Sequence, residues 1–149
     1  LIESERAEEV QEIARRIEEQ DVPDEYKGLA LAELYAGYDL TAEAIEKLEA
    51  LEQAEQIAPV YRLLGDLHRQ IGLVLEAEVQ YLEAVKLAEA TENLDELAAA
   101  NVGLGEVRYA RGNREEGMSL LEEAKAIYEQ LEDRERVSTL EERLAQLNR

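Results

Sequence analysis

Residues 61–84 read YRLLGDLHRQIGLVLEAEVQYLEA, and the spacing of small and apolar residues within them decides the fold. Gly65, after Leu64, is small where a neighbouring helix must come close, and Gly72 stands where a first helix should end in a turn. Ala77, Tyr81 and Ala84 then recur at i, i+4 and i+7, one face of a second helix. Small residues on both faces let the helices approach closely, and Tyr81 fills the space left over. The stretch predicts a helical hairpin built to stack on copies of itself.

A copy lies downstream. Leu104-Gly105, Gly112, Leu121 and Ala124 repeat the pattern 40 residues after Gly65, with Gly117 in place of Ala77. That exchange keeps the contact small at some cost in helix propensity. Upstream, Leu31-Ala32, Tyr35, Ala44, Leu48 and Leu51 repeat it 33 residues earlier. These positions resemble the tetratricopeptide repeat, in particular its longer-repeat branch of about 40 residues, as in kinesin light chains and some G-protein regulators. The first copy departs from the family pattern, with Ala32 for the helix glycine and Asp39 for the turn glycine. The resemblance implies an all-α fold, a right-handed α-solenoid of stacked antiparallel helical hairpins.

Composition agrees with helices. Ala, Leu and Glu dominate, only two prolines occur, and the aromatics are seven tyrosines with no Trp or Phe. Such a core packs through small and aliphatic side chains at close helix approach. At 149 residues the chain fits one domain over 1–149, long enough to bury a continuous core.

The net charge is −20 and is spread along the chain: residues 1–56 carry 17 acids against 5 bases, and residues 57–149 carry 19 against 11. Nucleic acid and anionic membrane are repelled at long range, so neither is expected as a partner. Cysteine is absent, which excludes disulfides and thiolate chemistry. No apolar run approaches the ~18 residues of a membrane helix. No signal peptide is visible, so a cytoplasmic location is expected, while the start at Leu1 leaves a processed form open.

In chain order, residues 3–20 form an amphipathic helix with Val10, Ile13, Ala14 and Ile17 on one face, either the second helix of a truncated repeat or a free-standing cap. Pro23 breaks the chain and Asp24 is placed to cap the next helix. Repeat 1 occupies 24–56, with helices near 25–37 and 42–54, and repeat 2 occupies 57–93, with helices from near Pro59 and over 75–90. Repeat 3 occupies 94–132, with helices over 95–111 and 114–131. Residues 133–149 hold a last helix without a partner, whose charge suits a solvent-facing cap.

Catalytic chemistry finds no foothold. The single histidine, His68, sits where the repeat carries an aromatic between its helices, and a packed ring explains it. No second metal ligand stands at a metal-binding spacing from it. Ser4, Ser119 and Ser138 lie in helix-end or surface contexts without a base. Val102–Gly105 offers Gly-x-Gly, yet no strand precedes it and no phosphate-binding Lys comes after it. No enzyme activity, cofactor or metal is expected.

What remains is the groove that the resemblance implies, lined by the first helix of each repeat. It takes Tyr26, Leu29 and Glu33 from repeat 1, Arg62, Asp66 and Arg69 from repeat 2, and Val102, Glu106 and Tyr109 from repeat 3. Arg62, Asp66 and Arg69 fall at i, i+4 and i+7, where they can satisfy one another. Alternatively the two arginines hold a partner carboxylate. The expected function is a non-catalytic protein–protein interaction module that takes a peptide or partner domain, more readily a basic or amphipathic one, steered by Glu33, Asp66 and Glu106. The Lys/Asn/Arg clamp of tetratricopeptide co-chaperones is missing at the matching positions, which argues against a heat-shock tail. The alternative is a structural, oligomerisation or spacer segment of a larger protein that makes contacts through its ends, where the stripe Val10, Ile13, Ile17 would support self-association.

Overall fold

The computed structural model describes residues 2–54 and 56–149. Among them are eight α-helices and no strand: α1 (Ile2–Glu18), α2 (Asp24–Gly37), α3 (Thr41–Ala54), α4 (Ala58–Gln70), α5 (Val74–Ala90), α6 (Leu94–Ala110), α7 (Arg114–Gln130) and α8 (Arg134–Leu147). The packing separates into two compact units, Leu1–Gln56 and Ile57–Arg149. The second unit holds α4 to α8.

Helix ends fall within about two residues of where the sequence puts them, the ordinary scatter of such boundaries. One cap differs. Pro23, not Asp24, is the residue before α2, and Asp24 is already helical, where its charge faces the favourable end of the helix dipole. Elsewhere side-chain caps do form: Asn93 accepts from the Glu96 amide and Asp133 from the Arg136 amide, each at 3.2 Å.

Five turns share one geometry. Asp39, Gly72, Glu92, Gly112 and Glu132 all take positive φ, between 54° and 94°, and from Gly72 onward they recur every 20 residues. In each, the next amide donates back to the carbonyl five residues earlier: Leu40 to Tyr35, Leu73 to His68, Asn93 to Ala88, Asn113 to Arg108 and Asp133 to Tyr128, all 2.8–2.9 Å. This left-handed closure satisfies otherwise orphaned helix carbonyls and reverses the chain in three residues. Glycine suits it at two sites, and acidic residues accept its strain at the other three.

In the first unit α2 packs on α3, and a Cβ on Gly28 would lie 2.8 Å from the Leu51 side chain, so that glycine is where the two helices meet. Val10 of α1 is buried, with Ile13 and Ile17 half-buried. In the second unit Tyr81 is the wedge. Its ring is fully buried, and a Cβ on Gly65 of α4 would stand 2.7 Å from it, one on Gly103 of α6 only 2.3 Å. Two helices therefore touch one ring, and both need glycine to do so. Gly105 and Gly117 bring the backbones of α6 and α7 together, since a Cβ on either would lie 2.6–2.8 Å from the other's carbonyl oxygen. A last cluster joins Ala98, Leu121, Ala124 and Tyr128 to Leu140, Leu144 and Leu147 of α8, which closes the core with its apolar face.

Candidate partner-binding cleft

The Tyr81 wedge sets up polar chemistry at the edge of the second unit. Its hydroxyl emerges between α4 and α6, donates to Asp66 Oδ1 and accepts from Arg69 Nε at 3.3 Å. Burial, reinforced by the Asp66 carboxylate, pushes the phenol far above its ordinary range, so it stays a proton donor. Asp66 is thereby held by a core residue rather than by Arg69. Arg62, the third of the i, i+4, i+7 set, reaches Asp66 at 3.5 Å, but its principal partner is Glu96 of α6, bound through two nitrogens at 2.7 and 3.2 Å. A second such fork lies one step on, where Arg143 of α8 grips Glu106 of α6 at 2.7 and 2.8 Å. Paired forks of this kind tie successive helices in a fixed register.

Arg69 differs from both. It is exposed, its hydrogen bond is to the Tyr81 hydroxyl, and among the described residues it makes no ion pair. It faces a cleft of about 310 Å³ that Arg62, Asp66 and Arg69 of α4 share with Ala99, Val102 and Gly103 of α6. Tyr128 of α7 and Leu140 of α8 supply apolar floor, and Glu135, Arg136 and Thr139 form the α8 rim. Arg136 is engaged by Asp133 at 2.9 Å and lies over the Tyr128 ring at 5.3 Å. A larger cleft of about 440 Å³ opens at the α7–α8 turn, among Glu129, Glu132, Asp133 and Glu141. It joins only consecutive helices, whereas the other cleft gathers side chains from α4, α6 and α8, so the α4–α6–α8 cleft is the stronger candidate.

Of the residues expected to line a groove, four come together here: Arg62, Asp66, Arg69 and Val102. Glu106 and Tyr109 lie farther along α6 and turn to the last helix. Glu106 is held by Arg143, and Tyr109 is half-buried against the α6–α8 core with its hydroxyl donating to the Leu147 carbonyl at 3.3 Å. Tyr26, Leu29 and Glu33 belong to α2 of the first unit, where Tyr26 and Glu33 are exposed and Leu29 is half-buried. Sequence reasoning misses the residues of α8 because its charge suggests a cap. The signal is nonetheless present: one 40-residue step carries Ala99 to Thr139, and both line the cleft.

His68 is buried, as a packed ring should be, and its Nδ1 has no hydrogen-bond partner among the described residues. No group of three or more His, Asp or Glu side chains able to hold a metal occurs among the described residues. No helix among them is long and apolar enough to cross a membrane.

No protein-family model matches the sequence, and no curated protein matches it. Solved structures do match. A Podosopora anserina kinesin-light-chain candidate with nearly identical TPR-like repeats aligns over 96% of this chain and 89% of its own, with a TM-score of 0.59 and 18% identity. The fold is tetratricopeptide-like. Two further structures share it: MamA, with a TM-score of 0.61, 19% identity, and 91% and 84% of the two chains covered; and BtubC from P. vanneervenii, with 0.60, 17%, 93% and 70%. At such identities the likeness carries the tetratricopeptide-like fold, and the binding chemistry has to be argued from this chain's own cleft.

Proposed function

We propose that the protein is a non-catalytic interaction module whose second unit takes a peptide or partner segment in the cleft between α4, α6 and α8. The observation that carries this is the cleft's composition: apolar floor from Val102, Tyr128 and Leu140, beside a guanidinium, Arg69, that makes no ion pair among the described residues. Peptide sites combine an apolar anchor with a few convergent polar groups in this way.

The best-fitting ligand is an amphipathic segment. Its apolar side chains meet the floor, and a carbonyl or carboxylate oxygen accepts from Arg69. Basic residues outside the cleft are favoured by the net charge of −20. Glu96 and Glu106 are already paired with Arg62 and Arg143, so they steer less than their number suggests. The spacer alternative draws less support, because the outward face of α8 exposes Ser138, Glu141 and Glu142 rather than an apolar stacking surface.

Arg69→Glu is the informative change, since Arg62→Glu would also strand Glu96. Affinity capture from source-cell lysate with wild type beside Arg69→Glu should yield a partner that only the wild type retains, with affinity that falls as salt rises. Identical capture by both proteins would refute the cleft.

A further inference from the structure

The outward face of α5 carries an apolar stripe that the fold does not ask for. Leu75, Val79 and Leu82 stand at i, i+4 and i+7, with 61%, 66% and 44% of their surfaces exposed, and the preceding turn adds Ile71 at 49% and Leu73 at 42%. The same five positions one 40-residue step later are Arg111, Asn113, Glu115, Ser119 and Glu122, all polar and exposed. In α3 the positions matching Leu75, Val79 and Leu82 are Ala42, Glu46 and Glu49, again exposed. Packing within the array therefore tolerates polar residues here, and in α5 alone of the three equivalent helices the chain sets large aliphatics in water. Scattered exposed leucines need no explanation, but a helical stripe absent from its own repeats does.

We infer that this stripe is a second docking surface, and that it takes an amphipathic helix with lysines or arginines along its edges. Charge selects that occupant. Glu76 and Glu83 flank the stripe on one side, and exposed Glu89 lies about two turns beyond Leu82 along the same face, past Lys86, which is 3.8 Å from Glu83. Glu78 is drawn off by Arg108 of α6 and by Arg111 in the turn after it. An apolar seam edged by carboxylates complements a seam edged by ammonium or guanidinium groups, the pairing that sets partner choice between helices. A second copy of this chain fits poorly, since α5 against α5 would set these same carboxylates on each other in two molecules of charge −20. The surface lies on α5, away from the residues of the α4–α6–α8 cleft, and stands independently of that proposal.

The probe is a fluorescein-labelled synthetic helix of roughly 16 residues, long enough to span the stripe, with leucines on one face and lysines on both edges. Wild-type protein should bind it, and Leu75→Gln/Val79→Gln/Leu82→Gln, which changes no charge, should weaken binding by about tenfold or more with an unchanged helical melt. Placing Leu, Val and Leu at Glu115, Ser119 and Glu122 should add a second binding site. Equal affinity for wild type and the triple glutamine variant would overturn the proposal, because the peptide would then be held by general negative charge. Equal binding of a glutamate-edged peptide would overturn the assigned occupant. Light scattering that shows a wild-type dimer dissolved by the triple variant would assign the stripe to a second copy instead.

Discussion

Gly103→Ala sets two rules against each other, and the geometry says which wins. Helix propensity alone makes Ala better than Gly in the middle of α6 by about 1 kcal/mol. The added Cβ, however, would lie 2.3 Å from Cε1 and Cζ of Tyr81, and Gly65 already crowds the same ring, its own Cβ position standing 2.7 Å from Cε1. Overpacking of this kind costs about 1–3 kcal/mol. Pushing the ring aside also loosens its bond to Asp66, a charged hydrogen bond worth about 1.5–3 kcal/mol. The net effect should be destabilisation of about 1–4 kcal/mol, read as a lower urea midpoint by circular dichroism. The decisive control is Tyr81→Ala, itself costing about 3–5 kcal/mol as a large-to-small core change. In that background the same Gly103→Ala substitution should reverse sign and stabilise by about 1 kcal/mol, a coupling well beyond the ~0.5 kcal/mol scatter of independent sites. A stabilising Gly103→Ala in the otherwise unchanged protein would show that Tyr81 does not hold α6 at this distance.

The repeated turns make a second expectation: Glu92→Gly and Glu132→Gly should each raise stability by about 0.5–1 kcal/mol, the relief of positive φ outweighing the added freedom of the unfolded chain, in thermal or urea melts. Alkaline pH gives a third. The buried Tyr81 keeps its proton when the unfolded chain has lost it, so the stabilisation is complete below the unfolded phenol pKa of about 10 and declines as pH rises above it. Urea midpoints should therefore fall above about pH 10, and less steeply in Tyr81→Phe; parallel curves would remove Tyr81 from the effect. Fourth, Arg62→Gln strands the half-buried Glu96 and should cost about 1–3 kcal/mol, whereas Arg69→Gln, which leaves no carboxylate without its partner, should be near neutral in the same melts.

Why some of this is legible from the residues and some is not comes down to range. The hairpin around Tyr61–Ala84 is readable because Gly65, Gly72, Ala77 and Tyr81 obey short helical spacings. Its turn geometry repeats at Asp39, Glu92 and Glu132 without glycine, since the closing hydrogen bonds are made by the backbone and accept any residue that bears the strain. Gly103 carries no local signal: its reason is a ring 22 positions away, on another helix. The same limit explains the cleft. The pairing of Arg62 with Asp66 comes from i, i+4 spacing, but its stronger bond to Glu96 and the grip of Arg143 on Glu106 cross from one repeat to the next. The charge of α8 points to solvent, while its buried face, Leu140, Leu144 and Leu147, closes the core and its rim completes the cleft.

Site-specific photocrosslinking tests most directly whether a partner sits in that cleft. A benzophenone side chain replaces Thr139, on the cleft rim, or Ser119, on the outward face of α7, and each protein is irradiated in source-cell lysate. Occupancy of the cleft requires a discrete adduct from position 139, none from position 119, and loss of the first when Arg69→Glu is added. An adduct from position 139 that survives Arg69→Glu unchanged, or adducts from position 119 alone, would contradict it.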